Sequence, residues 1–452
     1  MKMNQLLTGG FVKRIVASLA FLAVVCSGQW LETTIPLIGE SGLGPLCYNS
    51  QSNKVYCANR DSDYVAVING ASNEVITTIG VGGYPCALCW NPQNNRVYCA
   101  LGSDSVTVID GSSNSVVTTV AVGDGPNSVC HNPQNNRVYT ANYYSGNVTV
   151  IDGATNAVLA TVPAGTNPSG LCYNPQDNKV YCSASSPGSV TVIAGATNAV
   201  VATLAVGYFP NDLCYNTQNN KVYCTNAYGN VTVIDGATDS IVATVAAGDG
   251  LGSLCYNSQN NKVYCANETS NNVAVLDGAS DSVIATVAVG TGPGGLLYNS
   301  ANNKIHCCLN DCRVAAIHGA TNRVVRTIAV GQFPAGITWN PAQNRVYVSN
   351  YYDCTISVIR DSAVGIEETM NDERGTRDFG STIIRGCLFL SGAVSGVRSA
   401  AGASLLDISG RKVMELAPGP NDVSRIVPGV YFVRGAHAQA QAQAVRRVVI
   451  TG

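Results

Sequence analysis

The sequence predicts an all-β fold built from eight similar units arranged in a ring. The 452-residue chain repeats one pattern eight times, at intervals of 41 or 42 residues. Each repeat holds four short segments rich in Val, Ile, Thr, Tyr and Leu, and Gly, Asn, Asp or Pro separates these segments, as expected for strands joined by turns. Four strands in every forty-odd residues is typical of a β-propeller blade. The predicted architecture is therefore an eight-bladed β-propeller.

The repeats align on an aromatic residue or histidine followed by Asn. The eight pairs are Tyr48-Asn49, Trp90-Asn91, His131-Asn132, Tyr173-Asn174, Tyr215-Asn216, Tyr256-Asn257, Tyr298-Asn299 and Trp339-Asn340. We name the four predicted strands of a repeat a, b, c and d in chain order. In the fourth repeat they are SGLCYN, NKVYCS, SVTVIA and AVVATLAVG.

The strand count predicts how the ring closes. LETTIPLIG (residues 31–39) precedes the first repeat and matches a d segment such as VVTTVAVG (residues 116–123), whereas the eighth repeat has no convincing d segment after SVIRD. The leading d strand, seven complete sets of four strands and the a, b and c strands of the eighth repeat together make eight blades of four strands. The N-terminal strand would complete the last blade, and this closure removes exposed sheet edges. We predict that the propeller spans residues 29–360.

Two kinds of turn recur in every unit. An Asn stands four residues after the aligned Asn, as in Asn53, and suits a tight a–b hairpin because Asn tolerates the left-handed conformation. The Asp-Gly pair that begins at Asp110 would form the c–d turn. A catalytic role for these aspartates is disfavoured, because Asn69, Ala194 and His318 occupy the same position elsewhere. A Lys or Arg follows each hairpin Asn, and we expect these basic residues to be solvated.

Residues 1–28 are predicted to be a signal peptide. Lys2, Lys13 and Arg14 precede the apolar run IVASLAFLAVV, which is too short to span a membrane. A lipid anchor on Cys26 is a less favoured alternative, because the preceding AVV lacks the usual Leu and small residue. With 12% charged residues and a net charge of −2, the chain has no basic stripe, so no nucleic-acid partner is expected. The mature protein is predicted to be exported, without a transmembrane segment.

Five repeats carry two cysteines ten residues apart, on strands a and b. They are Cys47/Cys57, Cys89/Cys99, Cys172/Cys182, Cys214/Cys224 and Cys255/Cys265. The hairpin register could place each pair opposite one another, so cross-strand disulfides remain an alternative to buried free thiols. In the third and seventh repeats only one of the two positions is a cysteine, and this favours buried free thiols. A Cys308–Cys312 bridge is expected in the seventh repeat. No metal site or cofactor is predicted there, because strand alternation directs His306 and Cys307 to opposite faces.

The two ends of the ring differ in sequence. The a–b and c–d turns share one end, the turn rim, and stay nearly constant; the b–c and d–a loops share the other, the loop rim, and vary. Variable loops on a constant scaffold often carry recognition. The predicted ligand-binding residues are the aromatic residues of the loop rim, Tyr84, Tyr143, Tyr144, Tyr208, Phe209, Tyr228, Phe333, Tyr351 and Tyr352. Alternatively, these rings cover the blades and fill the channel mouth.

The repeat segments KVYCAN, VTVIDGATN and VVTTVAVG resemble the YVTN-type β-propeller repeats of bacterial and archaeal surface proteins, with Cys after Val-Tyr as a departure. The resemblance covers about three quarters of the chain. It implies an extracytoplasmic propeller scaffold and does not by itself imply an activity.

The last part of the chain has a different pattern. Residues 361–378 are predicted to be a linker from their polar composition, and residues 379–452 a small β-sandwich-like domain. The phrases LLDISGRKV, PGVYFV and RRVVI resemble the C-terminal sorting domain of type IX secretion cargo, apart from the insertion AHAQAQAQA. This resemblance implies passage across the outer membrane by the secretion machinery, followed by cleavage or attachment to a surface glycolipid.

Three functions are compatible with these features. The favoured one is a secreted or surface-attached bacterial propeller that binds protein or carbohydrate without catalysis. A propeller enzyme, such as a lyase or oxidoreductase, would need convergent His, carboxylate or metal ligands at the channel mouth, and the propeller repeats contain only His131, His306 and His318. A structural surface-layer or filament subunit would need a self-complementary patch. We expect no catalytic residues.

Overall fold

The computed structural model describes residues 29–361 continuously and seven short strand-bearing segments between 382 and 450. Each of blades 1 to 7 consists of four consecutive strands. Blade 8 consists of the last three strands of the propeller together with the N-terminal strand β1. Blades 1 to 4 contain β2 (Leu43–Asn49), β3 (Lys54–Asn59), β4 (Tyr64–Asn69), β5 (Val75–Gly80), β6 (Pro85–Asn91), β7 (Arg96–Leu101), β8 (Ser105–Asp110), β9 (Val116–Ala121), β10 (Pro126–Asn132), β11 (Arg137–Asn142), β12 (Asn147–Asp152), β13 (Val158–Pro163), β14 (Thr166–Asn174), β15 (Lys179–Ser186), β16 (Ser189–Ala194) and β17 (Val200–Ala205). Blades 5 to 8 contain β18 (Pro210–Asn216), β19 (Lys221–Asn226), β20 (Asn230–Asp235), β21 (Ser240–Ala246), β22 (Leu251–Asn257), β23 (Lys262–Asn267), β24 (Asn272–Asp277), β25 (Ser282–Ala288), β26 (Pro293–Asn299), β27 (Lys304–Leu309), β28 (Arg313–His318), β29 (Arg323–Ala329), β30 (Pro334–Asn340), β31 (Arg345–Asn350), β32 (Thr355–Asp361) and β1 (Gln29–Pro36).

The predicted eight-bladed fold, closed by the N-terminal strand, is confirmed. Strand β1 pairs antiparallel with β32, so that Thr34 lies opposite Ser357 and Ile35 opposite Ile356. The a strands contact one another from blade to blade around the whole ring and surround a central channel, while the d strands lie outside. Strand β32 runs to Asp361, one residue beyond the predicted limit at 360.

The hydrophobic core lies between neighbouring blades. Strands b and c are almost completely buried, and each contributes side chains to both faces of its sheet. One cluster, for example, joins Tyr56 and Val67 of blade 1 to Val97 and Ile109 of blade 2. Because a single blade cannot bury both of its apolar faces alone, the ring is the smallest unit that forms a complete core.

A closed circle of Asn–Asn hydrogen bonds joins the eight blades at the turn rim. The side-chain amide of Asn49 donates to Oδ1 of Asn95 in the next blade, and the circle ends with Asn340 donating to Asn53. All eight distances lie between 2.7 and 3.0 Å. The accepting residues have positive φ angles, such as 49° at Asn53, as predicted for the a–b hairpins. The repeated Asn therefore serves both the turn and the neighbouring blade.

The basic residues of the turn rim also join blades, contrary to the expectation that they are solvated. Lys54 Nζ donates to the carbonyl oxygen of Gly111 in the c–d turn of the next blade, at 2.7 Å. Six other blades repeat this contact with the equivalent glycine. Blade 7 is the exception, because blade 8 has no c–d turn there; its Lys304 pairs with the buried carboxylate of Asp361.

The observed register corrects the expectation that the two cysteines of a repeat could lie opposite one another. Cys47 pairs with Tyr56, and Cys57 pairs with Leu46. Because adjacent residues point to opposite faces of a strand, the two thiols lie on opposite faces of the blade, where a disulfide cannot form. Both are free thiols, as are Cys308 and Cys312, for which a bridge was expected. Burial raises the pKa of Cys89 and Cys172 to about 12, so these thiols stay protonated at neutral pH.

The tail strands are described only in part. They are β33 (Thr382–Ile384), β34 (Cys387–Leu390), β35 (Ala403–Leu406), β36 (Lys412–Leu416), β37 (Gly419–Asp422), β38 (Gly429–Arg434) and β39 (Val445–Ile450). Five form one sheet in the order β33-β39-β38-β35-β36, and β34 pairs with β37. The predicted signal peptide and residues 362–378 of the predicted linker lie outside the described residues. Where the chain is described, no helix is long and apolar enough to cross a membrane.

Candidate functional site: the loop rim

The residue seven positions before the aligned Asn, at the start of strand a, is the most informative position of the loop rim. In all eight blades it has a positive φ angle, between 49° and 96°. Five blades place Gly or Asn there, the residues that adopt this conformation most easily. The occupants are Gly42, Tyr84, Gly125, Asn167, Phe209, Gly250, Gly292 and Phe333 in blade order. We call this position the entry position.

Three blades place a bulky aromatic residue at the entry position. Tyr84, Phe209 and Phe333 have φ angles of 59°, 49° and 54°. A left-handed conformation costs a residue with a Cβ atom about 1–2 kcal/mol relative to the right-handed one. The three rings are also exposed, so burial of their side chains does not offset this cost. Such strain commonly marks a functional position.

The same three residues belong to larger aromatic groups. In blade 5, the ring centroids of Tyr208 and Phe209 both lie 6.0 Å from that of Tyr228, with the ring planes at 73° and 71°. Tyr208 and Tyr228 are 70% and 68% exposed. Edge-to-face contacts hold these rings together while their outer faces remain in solvent. We call Tyr208, Phe209 and Tyr228 the blade-5 cluster.

A second group extends across blades 8, 1 and 2. The ring centroids of Phe333, Tyr351 and Tyr352 lie 5.1–6.1 Å apart. Partial burial, together with the nearby Asp61 and Tyr84, raises the pKa of the Tyr351 hydroxyl. The guanidinium carbon of Arg60 lies 5.7 Å from the centroid of the Tyr84 ring. We call Arg60, Tyr84, Phe333, Tyr351 and Tyr352 the seam patch; it is centred on blade 1, across the ring from blade 5.

The remaining predicted residues, Tyr143 and Tyr144, form a smaller pair in blade 3. Their ring centroids are 5.2 Å apart, and Tyr144 is 72% exposed. Tyr144 lies over Gly125, the entry residue of that blade, where a Cβ atom would meet its ring at 2.5 Å. In blade 2 the arrangement is reversed, because the entry residue Tyr84 lies over Gly102 of the b–c loop. In these two blades, an aromatic ring from one loop therefore packs over a glycine of the other loop.

The inner a strands, which surround the channel, carry one acidic residue among them. Asp212, on strand β18, accepts hydrogen bonds from the backbone N–H groups of Leu213 and of Leu254 in the next blade, at 2.9 and 2.7 Å. Burial raises the pKa of Asp212, although these hydrogen bonds lower it. His131 lies on the a strand of blade 3, and burial lowers its pKa. Among the described residues, no three His, Cys, Asp or Glu side chains are arranged to hold a metal ion.

We expect Asp212→Ser to change how stability depends on pH. Ser253 occupies the equivalent position in blade 6 and accepts a hydrogen bond from Leu296, so the hydroxyl suits this site. Because the pKa of Asp212 is higher in the folded chain, the wild type loses stability from this group as the pH rises above about 4, the ordinary carboxyl pKa. The free energy of unfolding of the variant should therefore rise relative to wild type between pH 4 and 7, measured by urea titration. A constant difference between the two proteins would contradict the assignment.

The sequence alone identified the rim aromatics but not their strained entry position. One signal was available: in repeats aligned on the Tyr-Asn pair, Tyr84, Phe209 and Phe333 stand in the column that otherwise holds Gly or Asn. A column of Gly and Asn predicts a positive φ angle, so a bulky residue in it is unexpected on conformational grounds alone.

Comparisons with known proteins agree with the fold. The family description YNCE-like beta-propeller matches residues 15–345. No curated protein matches the chain. Among solved structures, the computationally designed Ika8 protein has a TM-score of 0.62 at 18% identity, and the match covers 73% of this chain and 99% of that one. Hydrazine synthase from Kuenenia stuttgartiensis has a TM-score of 0.54 at 15% identity, covering 72% of this chain and 96% of that one. At these identities, the two structures show similarity of fold only. The match over most of the propeller shows that the chain belongs to the YNCE-like β-propeller family.

Proposed function

We propose that this protein is a non-enzymatic binding propeller, which holds a protein or glycan partner on its loop rim. The observation that carries the proposal is the presence of Tyr84, Phe209 and Phe333 in left-handed conformations that Gly or Asn adopts elsewhere in the ring. A folding requirement would favour Gly at these positions. Large exposed rings at a conformational cost are expected where they contact a partner.

The arrangement of the rim supports the same proposal. Backbone hydrogen bonds between the two loops of a blade hold both groups of rings. In the seam patch, the N–H of Gly102 donates to the carbonyl of Tyr84 and that of Tyr351 to Phe333, at 2.8 and 2.9 Å. In the blade-5 cluster, the N–H of Ala227 donates to the carbonyl of Phe209 at 3.3 Å. Rings held in place lose little conformational entropy when a partner binds. The rim therefore offers preorganised aromatic anchors, which commonly supply most of the binding energy of an interface.

The triple variant Tyr84→Gly, Phe209→Gly and Phe333→Gly separates binding from folding. We expect its free energy of unfolding to stay equal to wild type or to rise by about 0.5 kcal/mol per site, because relief of the left-handed strain exceeds the cost of a more flexible unfolded chain. Binding to a partner found on glycan and protein arrays should fall at least about tenfold. Denaturant titration and surface plasmon resonance measure the two effects.

Exposed apolar residues outside the rim provide the control. Ile76→Ala, Val117→Ala and Val242→Ala lie on the outer strands and should leave binding unchanged. If instead the rim variant loses about 1 kcal/mol or more per site and keeps its partner, the rings serve to cover the blades, and the binding proposal fails.

We further propose that the protein is exported and is released or held at the outer surface of a bacterium. The basic residues and apolar run of residues 1–28 support export, and the motifs of residues 379–452 support a type IX-like route. Expression in a host with type IX secretion should give extracellular or surface-bound protein, whereas deletion of residues 379–452 should retain it in the periplasm. Equal export of both forms would reject the route.

A further inference from the structure

The loop rim carries most of the unbalanced charge of the propeller. Nine acidic residues occupy its loops, against two basic residues, Arg60 in a loop and Arg313 at the adjoining end of β28. The acidic residues are Glu40, Asp61, Asp63, Asp104, Asp124, Asp249, Glu268, Asp311 and Asp353. The difference is seven negative charges on one end of the ring, although the whole chain has a formal net charge of only −2.

Little of this charge is neutralised within the propeller. Among the ion pairs of the described residues, only Asp311–Arg313 involves a loop-rim carboxylate. The other ion pairs lie on the turn rim, where they join neighbouring blades or, at Glu32 with Arg345 and Arg360, join the strands of blade 8. Because surface charges of one sign reinforce one another in low salt, the loop rim should attract cations from solution.

The rim itself shows how its aromatic rings receive a cation. The Arg60 guanidinium lies over the Tyr84 ring, in a geometry that is favourable for a cation–π contact. The blade-5 cluster offers three further exposed rings but has no basic residue in its own loops. Aromatic faces next to carboxylates fit arginine side chains particularly well, since guanidinium both stacks on rings and pairs with carboxylates.

We infer that the partner of the loop rim is a basic protein segment, whose arginine and lysine side chains contact the seam patch and the blade-5 cluster. The inference rests on the proposed binding function and names its partner class. Charge complementarity selects a cationic partner, and the exposed rings add contacts that a purely ionic surface would lack. A neutral glycan would contact the rings and donate hydroxyl hydrogen bonds to the carboxylates, but it would gain nothing from their net negative charge.

The decisive experiment places the same charge change at two sites. Asp104→Asn, Asp124→Asn and Asp249→Asn remove three exposed loop-rim carboxylates for which the structure shows no hydrogen bond. The matched control, Thr78→Lys, Thr161→Lys and Thr203→Lys, adds three positive charges on the exposed outer strands. Both variants shift the net charge by the same amount.

The probe is an acetylated, amidated octa-arginine peptide labelled for fluorescence anisotropy, and octa-glutamate and Gly-Ser peptides are the comparison probes.

We expect octa-arginine, but not the other peptides, to bind the wild-type protein in 50 mM salt. Its affinity should fall steeply when the salt concentration is raised to 500 mM. The loop-rim variant should bind it at least about tenfold less tightly, whereas the outer-strand control should change less than about twofold. The Gly triple variant of the entry positions keeps the charge of the loop rim. Its affinity for octa-arginine should still fall several-fold, because the variant lacks the ring contacts.

Three results would overturn the inference. These are failure of octa-arginine to bind, an equal loss of affinity in both charge variants, and an unchanged affinity in the Gly triple variant. The proposed function is judged separately. If an array identifies a neutral glycan whose binding depends on the entry-position rings and not on the three carboxylates, the binding propeller stands and the basic partner is rejected.

Discussion

Alanine in place of Asp361 is expected to lower the free energy of unfolding by about 3–5 kcal/mol, because it leaves buried partners without their counter-charge. The Asp361 carboxylate is fully buried and accepts hydrogen bonds from Lys304 at 2.9 Å and Asn299 at 2.7 Å. It also lies 3.0 Å from Nε2 of the buried His306. Denaturant titration at pH 7 measures the loss.

The pH dependence gives a second measure of the same contact. Burial alone would raise the pKa of Asp361, but the hydrogen bonds and charges of His306 and Lys304 lower it to about 2. This folded-state pKa is below the ordinary value of about 3.9. The contribution of ionised Asp361 to the free energy of unfolding is therefore complete above pH 4 and disappears as the pH falls towards 2. The stability difference between wild type and D361A should narrow over that interval.

Asp235→Ala is the matched control. Asp235 also stands at the end of a c strand, β20, yet its side chain is only half-buried and caps the local c–d turn through Thr238. Its loss should cost about 1 kcal/mol. Equal effects of the two substitutions would mean that Asp361 has no special part in joining blades 7 and 8.

Deletion of residues 29–36 is expected to remove at least about 5 kcal/mol of stability, a large part of the total for an ordinary domain. This strand supplies the whole outer edge of blade 8 and the buried side chain of Ile35. It also supplies Glu32, which pairs with Arg345, a residue that contacts blade 1. Without it, the ring loses its fastening at the junction of its two ends, and the edge of β32 is left exposed.

Complementation tests whether the deletion acts through this strand alone. The peptide QWLETTIP (residues 29–36), added in excess, should restore the unfolding midpoint of the truncated protein in urea. The same peptide with Ile35→Asp should not, because a charge cannot enter the apolar cluster formed with Ile356 and Val358. A truncated protein that unfolds at the wild-type midpoint without peptide would disprove closure by β1.

The fold could be predicted from the sequence because its determinants are local and repeated. Segments of five to seven β-branched and aromatic residues fix the strands, and Asn or Asp-Gly fixes the turns at constant intervals. Eight copies, with one displaced d segment, then favour a closed ring, because the displaced segment completes the last blade and the ring leaves no blade face unpacked. The rim aromatics followed from the same alternation of strand directions.

Contacts between blades could not be predicted in this way, because they join residues far apart in the chain. Lys54 was expected to face solvent, yet its partner Gly111 is 57 residues away, in a turn brought near only by the ring. The expectation that the two cysteines of a repeat lie opposite one another was wrong for a local reason. The a–b hairpin pairs Asn49 with Lys54, and this register places Cys47 opposite Tyr56 and not Cys57.

The sequence by itself determined the number of blades, their strands and the way the ring closes, since each depends on short-range preferences repeated eight times. The tertiary structure alone decided which side chains fasten one blade to the next, and which exposed rings are held against their backbone preference. Both depend on the packing of segments from different repeats. Local propensities do not specify that packing, because it is fixed only once the blades are wedged together around the channel.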